Sequence, residues 1–104
     1  MVDSIAWASG FFEGEGCIFL RKDHRGVSLF VNGTDFDVLQ RLQNVLGGSI
    51  TQTKMSKKPA HYKQLWQWSL TKRDKVISAL EQMLPYLGER RACKALDAFD
   101  HYEL

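Results

Sequence analysis

The chain has 104 residues, 44% hydrophobic and 12% aromatic, with a formal net charge of +2. That composition is enough for one packed core over residues 1–104 and excludes a disordered chain. No apolar run approaches the roughly 20 residues that span a bilayer, and "MVDSIAW" has an acid where a secretory signal carries basic residues, so an intracellular protein away from membranes is expected.

Asp3 is placed to cap a first helix from about Ser4 to Gly14. "CIFLRK" and "VSLFVN" alternate apolar and polar residues around "DHRG" and predict a β-hairpin. "TDFD" offers Thr34 with an acid three residues on, the signature of a capping box. It opens the helix "FDVLQRLQNVL", where Phe36, Leu39, Leu42, Val45 and Leu46 share a face and Gly47 and Gly48 end the run. The order then repeats. "SITQTK" and "YKQLWQWSL" predict two strands joined by the loop "MSKKPAH", and Thr71 with Asp74 repeats the capping pattern. A third helix carries Val76, Ile77, Leu80, Met83 and Leu84 and stops at Pro85. The last, about Glu89 to Tyr102, is expected to turn Leu96 and Phe99 inward. An α-ββ-α-ββ-α(α) order with hairpin-joined strands argues an α+β fold, a four-stranded antiparallel sheet with helices layered on it. Cys17 and Cys93 lack metal-ligand spacing and read as two buried thiols of a reducing compartment.

Two features do not follow from packing alone. Ala6, Gly10 and Gly14 recur at every fourth residue of the first helix, a stripe with almost no side-chain bulk. Each interior glycine costs about 1 kcal/mol relative to alanine. Such a stripe fits close approach by another element of the same domain, or by the same helix of a second copy in a symmetric dimer. Glu13 and Glu15 end this helix, where the macrodipole disfavours anions. A solvated pair tolerates that mismatch; a bound hard cation such as Mg²⁺ reverses it. The charge is also uneven. No acid occurs from Ser49 to Arg73, where Lys54, Lys57, Lys58, Lys63, Lys72 and Arg73 fall, and Arg21, Lys22 and Arg25 form a second basic group. Two basic segments folded onto one face make a nucleic-acid footprint; a solvated face is the alternative.

"ASGFFEGEGCI" resembles the signature of the LAGLIDADG homing endonucleases, in its variant G-F-F-D-G-E-G-C-I. Ala8, Ser9 and Gly10 fall on the opening Leu-Ala-Gly, Glu13 on the first acid and Glu15 on the second. "TDFDVLQRLQNVLGGSI", "WQWSLTKRD" and "LPYLGERRACKAL" resemble the family's second helix and turn, its fourth strand and its C-terminal Leu-Pro-Tyr-Leu segment, in the right order. The resemblance implies an αββαββα core with a saddle-shaped sheet. A single motif implies a homodimer joined through residues 4 to 14, with Ala6, Gly10, Glu13 and Gly14 at the interface. It further implies cleavage of double-stranded DNA at a long, near-palindromic site with Mg²⁺ or Mn²⁺. Glu15 would be the catalytic metal ligand, the Gly14 carbonyl its helper, and Glu13 a structural brace. Arg90 stands where the family commonly has lysine; it can bind phosphate but cannot act as a base. Near the end of the second strand, where some members carry glutamine, this chain has Phe30 or Asn32, depending on register.

Strand alternation extends this reading. Trp66, Trp68 and Leu70 share the core face, which turns Lys63, Gln67 and Ser69 toward a groove, with His61 at the strand entrance. Arg21, Ser28, Thr51 and Thr53 are groove candidates by the same logic. Lys22, Arg25, Lys57 and Lys58 at the turns, with Lys54, are phosphate candidates. The competing function is a non-cutting DNA-binding regulator or RNA-splicing maturase on the same scaffold; the retained Glu15 speaks for cleavage, and Arg90 against it. A dimeric interaction module without nucleic acid would leave the acid-free stretch unexplained.

Overall fold

The computed structural model describes residues 4–22, 26–53 and 64–102. Within them the chain runs α1 (Ser4–Glu15), β1 (Gly16–Leu20), β2 (Val27–Gly33), α2 (Phe36–Leu46), β3 (Ser49–Gln52), β4 (Trp66–Leu70), α3 (Arg73–Met83), a 3-10 turn (Leu84–Tyr86) and α4 (Glu89–His101). The expected α+β architecture is present, with strand order β1-β2-β4-β3 and every pair antiparallel.

Register divides the sheet into two faces. Ile18 lies opposite Leu29 and Leu29 opposite Leu70, while Val31 and Ile50 flank Trp68. Ile18, Leu29, Val31, Trp68 and Leu70 are buried, and the helices cover them with Phe12, Leu39, Leu42, Val76, Leu80 and Met83. The other face carries Cys17, Phe30, Ser69 and Ser49 in one row across all four strands, and Asn32, Gln67 and Thr51 in a second. Because side chains alternate strictly along each strand, the register puts these rows opposite the core.

Two glycines at the end of α2 set how it meets the sheet. Gly47 and Gly48 have φ of 81° and 98°, the left-handed region that side chains avoid. A Cβ on Gly48 would stand 2.5 Å from the Ser69 carbonyl oxygen, so the turn also needs its bare backbone. The Gly47 carbonyl accepts the indole N–H of fully buried Trp68 at 2.7 Å, which satisfies the one polar atom of that side chain.

Four sequence expectations are corrected here. Neither Thr34 nor Thr71 caps a helix: α2 and α3 start one residue later, with Asp35 and Lys72 at the cap in extended conformation and no side-chain cap hydrogen bond. Leu96 does not turn inward and is 51% exposed. The buried stripe of α4 is Ala95 and Ala98, small residues that let the helix approach β1 closely, and Tyr102 is buried at its C-cap. The cysteines are exposed rather than buried: Cys17 lies on the outer face of β1, and Cys93 lines the cleft between α4 and β1 with it. Asp3 and the loop "MSKKPAH" lie outside the described residues.

Candidate nucleic-acid interface and metal site

The two acids of "EGEG" at the end of α1 have different surroundings. Glu13 is tied within its own chain: its Oε1 accepts the Gly88 N–H, and its Oε2 stands 3.2 Å from the Arg91 guanidinium. Arg91 Nε also donates to the Glu13 backbone carbonyl at 2.8 Å. Glu13 thereby joins the last turn of α1 to the start of α4, and its carboxylate is directed to that joint rather than across the glycine stripe. The arginine also offsets the carboxylate's poor position at the negative end of the helix.

Glu15 has no such partners. It is exposed, its side chain makes no hydrogen bond or ion pair among the described residues, and it lines a shallow depression with Phe11, Asn32, Thr34 and Asp35. The register settles which β2 residue stands beside it. Asn32 is exposed and lines that depression, while Phe30 pairs with Cys17 further along the sheet. Asp35 was readable from sequence only as part of a capping pattern; its place near Glu15 follows from the β2-to-α2 turn. Arg90 is exposed on α4 and lines a separate cleft with Gly16, Cys17, Arg91, Cys93 and Lys94. That cleft begins at the residue following Glu15, yet the depression lined by Glu15 does not include Arg90.

Among the described residues no three His, Cys, Asp or Glu side chains converge as a metal cage. The donor set at the end of α1 is instead one free carboxylate and the terminal helix carbonyls, including that of Gly14. That set suits Mg²⁺, which binds through one or two carboxylates, retains waters and takes the rest of its shell from substrate phosphates.

The glycine stripe is explained only in part by the chain's own packing. A Cβ built on Gly10 or Gly14 would meet nothing within 4 Å among the described residues. Their side of α1 also carries Trp7 and Phe11, stacked at 5.6 Å with planes 10° apart, and the Arg41 guanidinium lies 4.0 Å from the Trp7 ring. Ala8, Ser9 and Phe12 face the core on the opposite side. Apolar residues thus lie on both sides of the helix, one side buried in the core and the other half-covered at Trp7 and Phe11 and exposed at Gly10 and Gly14.

The groove candidates separate on the outer face. Thr51 and Thr53 are exposed, and Gln67 and Ser69 are half-buried in the rows described above. Ser28 departs from expectation: it is on the outer face but only 2% exposed, opposite Phe19 in the register. Arg21 is half-buried and folds back on its own hairpin, where a Cβ on Gly26 would stand 2.4 Å from its Nη2, and its Nε is buried without a partner among the described residues. Its backbone is held by the Gly26 carbonyl at 2.8 Å and by the His101 ring at 2.8 Å. Lys22 is exposed; Arg25, Lys54, Lys57, Lys58, His61 and Lys63 lie outside the described residues.

Comparison with known proteins places this arrangement. A family model described as LAGLIDADG endonuclease matches residues 8–90. The chain belongs to the LAGLIDADG endonuclease family. Similar solved structures include homing endonuclease I-CvuI in complex with its target in the presence of Ca, with 25% identity, a TM-score of 0.64, and coverage of 88% of this chain and 60% of that one. I-CvuI with the I-CreI target in the presence of Mg, its DNA not cleaved, is similar at 26% identity and a TM-score of 0.63, with the same coverage. The archaeal intron-encoded homing endonuclease I-Vdi141I complexed with DNA shares the fold at 16% identity and a TM-score of 0.64, over 92% of this chain and 64% of that one. The present chain therefore spans about three fifths of the length of the homing endonucleases it matches. No curated protein matches it. The LAGLIDADG segment of this chain is α1 with its junction to β1, where Glu13 is bound into the fold and Glu15 is left open.

Proposed function

We propose that this LAGLIDADG chain is a site-specific double-strand DNA endonuclease that works as a homodimer with a divalent cation. The observation that carries the reading is the contrast at the end of α1: an exposed Glu15 whose side chain has no partner among the described residues, beside glycines on which a Cβ would meet none of those residues within 4 Å. Two copies joined along that stripe would bring two Glu15 carboxylates to one axis and set two sheet faces side by side. The outer-face rows, with Thr51, Thr53, Gln67 and Ser69, would then lie in the major groove of a long, near-palindromic site. Bound there with Glu15 and the Gly14 carbonyl, Mg²⁺ or Mn²⁺ would supply an activated water and neutralise phosphate charge. Arg90 and Lys22 would hold phosphates, positioning the backbone without reading sequence. No described helix is long and apolar enough to cross a membrane.

A second reading, specific binding without cutting, is favoured by one observation: Arg90, an arginine unable to serve as a base, lines a different cleft from Glu15. One experiment separates the two. Duplexes selected from a random pool in Ca²⁺ are transferred to Mg²⁺. Cutting of both strands that is absent in Glu15→Gln supports the nuclease; retained binding without cutting supports the second reading. Cutting by Glu15→Gln at the wild-type rate removes Glu15 from the chemistry.

A further inference from the structure

The outer sheet face is chemically divided along its width. On β4 and β3 it presents Gln67, Ser69, Ser49 and Thr51, side chains that donate and accept hydrogen bonds. On β1 and the adjoining part of β2 it presents Cys17, Phe19 and Phe30. Phe19 is 51% exposed, and its ring lies 6.5 Å from that of Phe30 at 56°. The one hydroxyl in this half, Ser28, is opposite Phe19 and only 2% exposed, so it offers a base nothing to bond. Exposed Lys22, two residues beyond β1, borders the patch with positive charge.

Resting on the DNA-binding reading above, we infer that Phe19, supported by Phe30, is a specificity-determining residue that reads thymine through its C5-methyl group. The major groove shows acceptors and donors on every base pair, but among the four standard bases only thymine places an apolar group there. Among the described residues, the hydrogen-bonding side chains next to Phe19 on this face are the buried Ser28 and Arg21, which folds back over Gly26, so the exposed rings here gain discrimination from that methyl group. The hydrogen-bonding half supplies the complementary readout on the rest of the half-site. A leucine-sized or aromatic protein partner would also cover an exposed phenylalanine. The patch, however, is narrow, runs directly into polar rows, and has a lysine at its border, which fits a groove wall with phosphates alongside.

The test needs the full chain and the duplex selected from random DNA in Ca²⁺. Each thymine of that duplex is replaced in turn by deoxyuridine, which removes one methyl and leaves the hydrogen-bonding edge intact. Binding should weaken about fourfold at one or two symmetry-related positions, the effect of about one buried methyl. Deoxyuridine replaced there by 5-methylcytosine, paired with guanine, should bind better than unmethylated cytosine. Phe19→Ala should bind the thymine and uracil duplexes equally, whereas Gln67→Ala should bind both more weakly and still separate them. Selective binding that is indifferent to every deoxyuridine, or a methyl effect unchanged in Phe19→Ala, overturns the proposal and leaves the DNA-binding reading standing. Absence of any selected sequence overturns both.

Discussion

The glycines of one motif fall into two environments, since a Cβ on Gly10 or Gly14 would be open among the described residues and one on Gly16 would not, and the difference can be measured. Gly16 sits at the turn from α1 into β1, where a Cβ would stand 2.3 Å from the ring of Phe12. Phe12 is completely buried, so its ring has nowhere to go. Gly16→Ala should therefore destabilise the fold by about 1–3 kcal/mol, the usual range for overpacking a core. Thermal melting would read this directly, and an unchanged Tm would mean that the junction relaxes. The two acids differ in the same way. Glu13→Ala removes a charge-assisted bond to Gly88 and the Arg91 pair, and should lower Tm by several degrees. Glu15→Gln removes nothing bonded among the described residues and should leave Tm within a degree or so, whatever it does to cutting.

At the scale of elements, the end of α4 closes the sheet through one tyrosine. The Tyr102 hydroxyl accepts from the Val27 N–H at 3.2 Å and donates to the Val27 carbonyl at 3.3 Å, and Arg73 lies 5.3 Å from its ring. Burial holds the phenol's pKa above its ordinary value, against the opposing pull of the Val27 hydrogen bond and of Arg21 and Arg73. The folded state thus keeps its proton to higher pH than the unfolded chain. Stability from this group is complete below about pH 10 and is lost as pH rises past it. Tm should fall less steeply above pH 10 in Tyr102→Phe than in the wild type, with a constant loss of about 1–2 kcal/mol at neutral pH. Equal alkaline slopes would show that Tyr102 does not carry the dependence. No local pattern announces this contact, since 75 residues separate its partners. The elements themselves were readable because each repeats its apolar residues at one period: Leu39, Leu42 and Leu46 along α2, and Trp66, Trp68 and Leu70 along β4. The misses have a common cause. Thr34 and Thr71 matched a capping pattern, but a helix start is fixed by backbone geometry within one residue, finer than pattern resolves. Leu96 was placed inward by hydrophobicity and the cysteines were read as buried for want of metal-ligand spacing, whereas alanines gave α4 its buried stripe by permitting closer packing. Glu15 stood out as the second acid of a motif; Asn32 beside it required the register.

For the whole molecule, the decisive property is whether the exposed side of α1 is covered by a second copy. An amphipathic helix exposes polar residues, and one that is apolar around its circumference is normally buried. Here Gly10 and Gly14 lie exposed beside stacked, half-buried Trp7 and Phe11, which leaves an apolar stripe of the helix open in a lone chain. Gly10→Leu separates fold from assembly. Because no described residue lies within 4 Å of a Cβ at that exposed site, the new side chain should project outward without disturbing the single chain. Helix propensity alone should then stabilise an isolated chain by up to about 1 kcal/mol. In a dimer whose helices meet along the stripe, the same leucine props the two backbones apart. Sedimentation should find the wild type at twice the chain mass and Gly10→Leu at the monomer mass, while circular dichroism remains unchanged. A variant that stays dimeric would move the axis away from α1. Glu15 of the two copies would then no longer share one site, and paired cutting of the two strands would need a different arrangement.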